Sequence, residues 1–148
     1  MKEYRMPTSK EALAAWKSGT EFEATATVSG FSVRTDGGGK KAISPMELLL
    51  VSLAGCTGAD VISILEKKRQ NVTAFEVRVH GDRADEYPRK YTNIEIIYVV
   101  TGREIDPGAV RRAIELSETK YCSVSATLGG APKITSRFEI REAEPIAA

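Results

Sequence analysis

The chain has 148 residues, 42% of them hydrophobic and 28% charged, with a formal net charge of +1 at pH 7. That length suffices for one domain with a buried core, and the near-neutral balance gives no electrostatic reason to expect a nucleic-acid or acidic-membrane partner. The N-terminus, Met1-Lys2-Glu3-Tyr4-Arg5, lacks the apolar run of an export signal, so the expected location is cytoplasmic, where thiols stay reduced and a lasting structural disulfide is disfavoured.

Residues 1–10 read as a loose leader to a single domain spanning 1–148. Glu11 to Lys17 is ambiguous, because Glu11-Ala12-Leu13-Ala14-Ala15 favours a helix while the pattern that follows is strand-like. The lone Trp16 within it reads as a core anchor. Thr20 to Val28, with β-branched Thr20, Thr25, Thr27 and Val28, is expected to be a strand; Ser29-Gly30 turns it into Phe31 to Thr35. Asp36-Gly37-Gly38-Gly39-Lys40-Lys41 follows. Its glycines invite a phosphate cradle, but no GK[ST] and no strand-to-helix fingerprint is present, so it reads as a mobile connector.

A long helix is predicted from Ser44 to about Gln70. Ser44 is its N-cap, Pro45 its first residue, and Glu47 completes a capping box. Leu48 to Ala59 is uncharged but shorter than the ~18 residues that cross a bilayer. It is apolar on every side, so protein must enclose it. Gly55 and Gly58 each cost roughly 1 kcal/mol against alanine in a helix interior. Another element is therefore expected to approach closely there, and a subunit interface supplies that more easily than one small domain.

Val72 to Asp82 and Tyr91 to Thr101 alternate as half-buried strands. A second helix opens with Asp106 and Pro107 and points Val110, Ala113, Ile114, Ser117 and Tyr121 inward. Cys122 falls just past its end, and Lys133 to Arg141 reads as a final strand. The order β-β-α-β-β-α-β, with two helices on largely antiparallel sheets, makes an α+β fold.

Chemistry rests on the two cysteines, Cys56 inside the long helix and Cys122 after the second. Their separation is too long for a CxxC clasp, and spacing offers no further ligands for a metal. A redox couple is one reading; two inert thiols is the other, since free cysteine is commonly buried. Cys122, among Ser123, Ser125 and Thr127, is expected to be the more exposed of the two. Cys56 gains nothing from its own helix terminus, and apolar surroundings would raise its pKa unless a cation or hydrogen-bond donors reach it. Arg34 and Arg137 are candidate cations. Asp60, one turn beyond Cys56, would oppose a thiolate. The single His80, mid-strand, has no ligand partners in sequence, and no serine stands in a nucleophile elbow.

At Ser44-Pro45-Met46-Glu47-Leu48 leading to Gly55-Cys56-Thr57, and at Lys120-Tyr121-Cys122-Ser123-Val124-Ser125-Ala126, the chain resembles the OsmC/Ohr family of osmotically inducible and organic-hydroperoxide-resistance proteins. The resemblance runs from about Trp16 to Ile140, and Gly55-Cys56-Thr57 followed by Asp60 is similar to the family's less-characterised third branch. It implies an intertwined homodimer with the long helices central between sheets of both subunits. It also implies thiol-dependent reduction of organic hydroperoxides in oxidative-stress defence, with Cys56 attacking, Cys122 resolving and a dithiol such as a protein-bound lipoyl group as reductant. No cofactor or metal is implied. Active members carry a glutamate directly after the helix-opening proline and an arginine at the first hairpin turn. Here Met46 holds the former position and the turn reads Thr27-Val28-Ser29-Gly30-Phe31. Glu47, displaced by one residue and so by ~100° about the helix axis, is the carboxylate that would join Cys56 and Cys122 as catalytic. Within one subunit it lies on the opposite helix face, ~13 Å along the axis from Cys56. The alternative reading is a dimeric protein whose cleft holds a small apolar ligand without peroxidase activity.

Overall fold

Two antiparallel sheets and three helices form the computed structural model, which describes residues 8–130 and residue 137. Strands β1 (Ala12–Ser18), β2 (Glu21–Ala26) and β3 (Ser32–Asp36) make the first sheet, in that order. Helix α1 (Pro45–Lys67) follows, then β4 (Asn71–Arg83) and β5 (Tyr91–Arg103), which pair as a long hairpin. Helix α2 (Pro107–Leu116) runs into a π-helical turn at Ser117–Tyr121 and then into α3 (Ser123–Gly129). The α+β class and the antiparallel pairing are as the sequence predicts. The expected final strand and most of the expected leader lie outside the described residues.

Glu11 to Lys17 resolves as strand, with Ala12 opposite Ala26 and Trp16 opposite Phe22. Pairing with β2 overrides the local helical preference of its alanines. Trp16 is not a core anchor in the single chain: it is 66% exposed, and its indole N–H donates to the Gly19 carbonyl at 3.0 Å. The first sheet leans hardly at all on the helices, which leaves Leu13 and Phe31 exposed as well.

The glycine loop after β3 is organised rather than a loose connector. The buried Asp36 carboxylate accepts the amides of Gly38, Lys40 and Lys41 at 3.0, 3.1 and 3.0 Å, and the Thr20 hydroxyl. The Thr20 bond first, then the Lys41 and Gly38 amides, hold this carboxyl well below the usual range. The amides that a phosphate would need are already engaged by an anion of the chain itself.

Helix α1 starts as its capping box dictates. Ser44 accepts the Glu47 N–H at 3.2 Å, and its hydroxyl donates to Glu47 Oε1 at 2.8 Å. The helix ends at Lys67, earlier than Gln70, where Arg69 turns left-handed at φ 56°. By length and composition α1 could cross a membrane, which the uncharged run alone hides, because Asp60 interrupts it before Val61–Leu65 resume the apolar pattern. The single chain buries one side of it and leaves the rest uncovered. Leu53, Thr57, Val61 and Leu65 are buried on one side, against β4, α2 and α3. Val61 and Leu65 form the core with Ala109 and Ala113, surrounded by Val72, Phe75, Val100 and Ile114.

The two helix glycines serve different neighbours. A Cβ at Gly58 would meet Val77 Cγ2 at 3.2 Å, so Gly58 lets β4 approach the helix. At Gly55 nothing lies within 4 Å. The opposite side of α1, including Leu49, Val51, Ser52, Gly55 and Ala59, is exposed in the single chain.

In α2, Asp106 caps by accepting the Gly108 N–H at 2.9 Å. The inward stripe holds through Ala113 and the fully buried Ser117 but not to Tyr121, which is 51% exposed. The Cys122 N–H reaches back five residues to the Ser117 carbonyl at 2.8 Å. This wider turn inserts a residue into the helical period and rotates Tyr121 outward.

Candidate functional site

The π-helical turn delivers Cys122 to the side of α1 that carries Cys56. Cys122 is then the N-cap of α3, and its sulfur accepts the Ser125 N–H at 3.4 Å. Because α3 folds back over it, Cys122 is only 4% exposed, while Cys56 is partly open. The expectation that Cys122 would be the more accessible thiol is reversed. The hydroxyl-rich stretch that follows Cys122 is itself a capped helix.

Both sulfurs and a carboxylate oxygen of Asp60 lie within 4.8 Å of one another. Asp60 follows Cys56 by one helical turn on α1, so both face the end of the π-helical turn. The first turn of α3 supplies donors toward Cys56, the Val124 N–H and the Ser123 hydroxyl, the latter 3.8 Å from its sulfur. Burial is the largest single influence on Cys56 and raises its pKa. The Val124 N–H, the Cys122 thiol and the Ser123 hydroxyl together outweigh burial and the Asp60 charge, so the Cys56 pKa falls below that of an ordinary thiol. Cys122 goes the other way. Burial, helped by the charges of Cys56 and Asp60 and opposed by the Ser125 N–H, pushes it up. The two neighbouring sulfurs are thus shifted in opposite directions, Cys56 down and Cys122 up.

Apolar burial alone, expected to leave Cys56 inert, is opposed by hydrogen-bond donors from α3 and Cys122. Arg34 sits exposed on β3 opposite Glu23. Glu47 stays at the helix start, held by Ser44 and remote from both sulfurs along α1; in one chain the structure brings Cys56 and Cys122 together without it. His80 pairs with Asp82 at 2.9 Å on the exposed side of β4.

Behind the sulfurs runs a chain of hydroxyls that sequence reasoning missed. The Ser117 hydroxyl donates to Asp60 Oδ2 at 3.0 Å and lies 2.8 Å from Thr57 Oγ1. Thr57 is in turn 2.8 Å from the Tyr98 hydroxyl, which donates to Glu118 at 3.2 Å. Thr57 and Ser117 are 1% and 0% exposed. Their only signal in sequence was a polar residue recurring on otherwise apolar stripes. Beside α3, a groove of about 330 Å³ is lined by Leu53, Tyr91, Ile94, Ile96, Ser125 and Leu128.

The OsmC-like protein family matches residues 37–137. Protein YhfA of Escherichia coli K12 is 42% identical over 131 residues, covering 88% of this chain and 97% of that protein. A solved hypothetical protein from Aquifex aeolicus VF5 has 36% identity and a TM-score of 0.75, over 83% of this chain and 89% of its own. The organic hydroperoxide resistance protein OhrB of Bacillus subtilis has a similar fold at 16% identity, with a TM-score of 0.52 over 82% of this chain and 91% of its own.

Proposed function

This chain belongs to the OsmC-like protein family, and from that premise we propose that it reduces organic hydroperoxides through a Cys56/Cys122 couple. The observation that carries the proposal is two free sulfurs within 4.8 Å of one another, Cys56 partly open and Cys122 buried behind it; the Cys56 pKa is shifted down and that of Cys122 up, in keeping with attacking and resolving roles. The Cys56 thiolate attacks the terminal peroxide oxygen, the O–O bond breaks, and Cys56 becomes a sulfenic acid. The departing alkoxide takes the Cys122 proton and leaves as the alcohol. Cys122 is then a thiolate and attacks the Cys56 sulfur. A disulfide forms as hydroxide leaves and is protonated by solvent. An external dithiol returns both cysteines to the reduced state by exchange. We assign the alkyl part of the substrate to the groove beside Ser125, whose apolar side chains are Leu53, Ile94, Ile96 and Leu128.

We assign the working form to an intertwined homodimer in the cytoplasm. The exposed side of α1 and the exposed Trp16 and Phe31 of an unpacked sheet support a partner subunit.

Hydroperoxide consumption tests the assignment. Cys56→Ser abolishes it. Cys122→Ser permits one turnover and leaves Cys56 heavier by one or two oxygen atoms in the intact mass. Equal consumption by wild type and Cys56→Ser would remove the enzymatic reading and favour an apolar-ligand carrier.

A further inference from the structure

The geometry points to a second occupant of this site: a thiophilic divalent cation, zinc foremost, held by Cys56, Asp60 and Cys122. This inference does not depend on peroxidase activity. The three ligand atoms lie within 4.8 Å of one another. A tetrahedral zinc with bonds of about 2.3 Å to sulfur and about 2.1 Å to oxygen sets its ligand atoms about 3.6–3.8 Å apart, within reach of that cluster. Cys56 and Asp60 are one helical turn apart on α1, the spacing that sets two side chains on one face of a rigid helix. Cys122 closes the set from the opposite side, its own position fixed as the α3 cap.

The surroundings suit a metal ligand set. Ser117 donates to Asp60 Oδ2, and Thr57 stands behind Ser117, so the carboxylate is oriented by fully buried groups. Outer hydrogen bonds of this kind fix the orientation of ligands in metal sites. The Val124 and Ser125 amides on the two sulfurs do the same for thiolates. Two sulfurs and one carboxylate select zinc and its soft neighbours over magnesium or calcium. Three protein ligands leave a fourth position, and the partly open Cys56 gives access to it. Binding converts the Cys122 thiol to a metal thiolate and releases its proton to solvent. Disulfide formation removes both sulfur ligands at once, so the cation occupies only the reduced protein.

Cobalt(II) added to the full-length reduced protein reads this directly. A sulfur-to-cobalt charge-transfer band in the near ultraviolet is expected, with the intense visible bands of four-coordinate cobalt, reversed by zinc. Asp60→Asn keeps the sulfur band but weakens binding by ~10-fold or more, as does Ser117→Ala, by a smaller factor. Cys56→Ser and Cys122→Ser lose the two-thiolate spectrum, and so does the disulfide form. Weak six-coordinate bands without charge transfer, or undiminished zinc affinity in Cys56→Ser, would overturn the assignment. Hydroperoxide consumption has no bearing on either result.

Discussion

Gly55→Leu is a substitution whose sign depends on what covers α1. In one chain nothing lies within 4 Å of a Cβ at Gly55, so leucine there removes the cost of an interior helix glycine. That gain is about 1 kcal/mol, or ~3 °C in Tm for a domain of this size. At Gly58, by contrast, the chain's own Val77 already stands 3.2 Å from the added carbon, so only Gly55 isolates the outer face. If a second subunit packs there, the leucine side chain enters a filled seam and costs ~1–3 kcal/mol by overpacking. The expected outcome is a weakened dimer and a Tm that falls and depends more steeply on protein concentration. Sedimentation at micromolar concentration and thermal unfolding over a range of concentrations measure both. A variant with raised, concentration-independent Tm and unchanged sedimentation would refute an interface on this face.

Thiol alkylation across pH should modify Cys56 before Cys122, with a lower midpoint for Cys56, since the Cys56 pKa is lowered and that of Cys122 raised. Ser123→Ala should move that midpoint up, and Cys122 reacting first would contradict the site electrostatics. Asp36→Asn should lower stability at neutral pH and flatten its acid dependence. The Asp36 carboxyl is depressed in the folded chain, so its contribution is present above the unfolded value of about 3.9 and lost as pH falls toward the folded one. Acid unfolding followed by circular dichroism checks this, and an unchanged acid slope in the variant would contradict it.

Local signals carried much of the fold. The Ser44-Pro45-Glu47 start, the Asp106-Pro107 start and the alternation in β4 and β5 each depend on neighbours in sequence, and each appears in place. Where long-range pairing decided the outcome, composition misled: β1 is strand because β2 pairs with it, and Trp16 is exposed because none of the described helices covers its sheet. At the site, the cysteine pair was legible and its electrostatics were not. A single residue added by the π-helical turn sets the depth of Cys122 and the outward swing of Tyr121. No periodicity rule places such a turn. The donors that act on Cys56 come from α3, whose hydroxyl-rich sequence looks like coil until Cys122 caps it.

The chain of hydroxyls behind the sulfurs has too few hydrogens for its links. Ser117, Thr57 and Tyr98 bring one each, yet they must serve the neighbours Asp60 and Glu118 as well as one another. With both carboxylates ionised, one link is always vacant. Moving the vacancy along the row reverses each hydroxyl in turn, without carrying any charge through the core. The row therefore admits more than one arrangement of its hydrogens while every oxygen from Asp60 to Glu118 keeps its place.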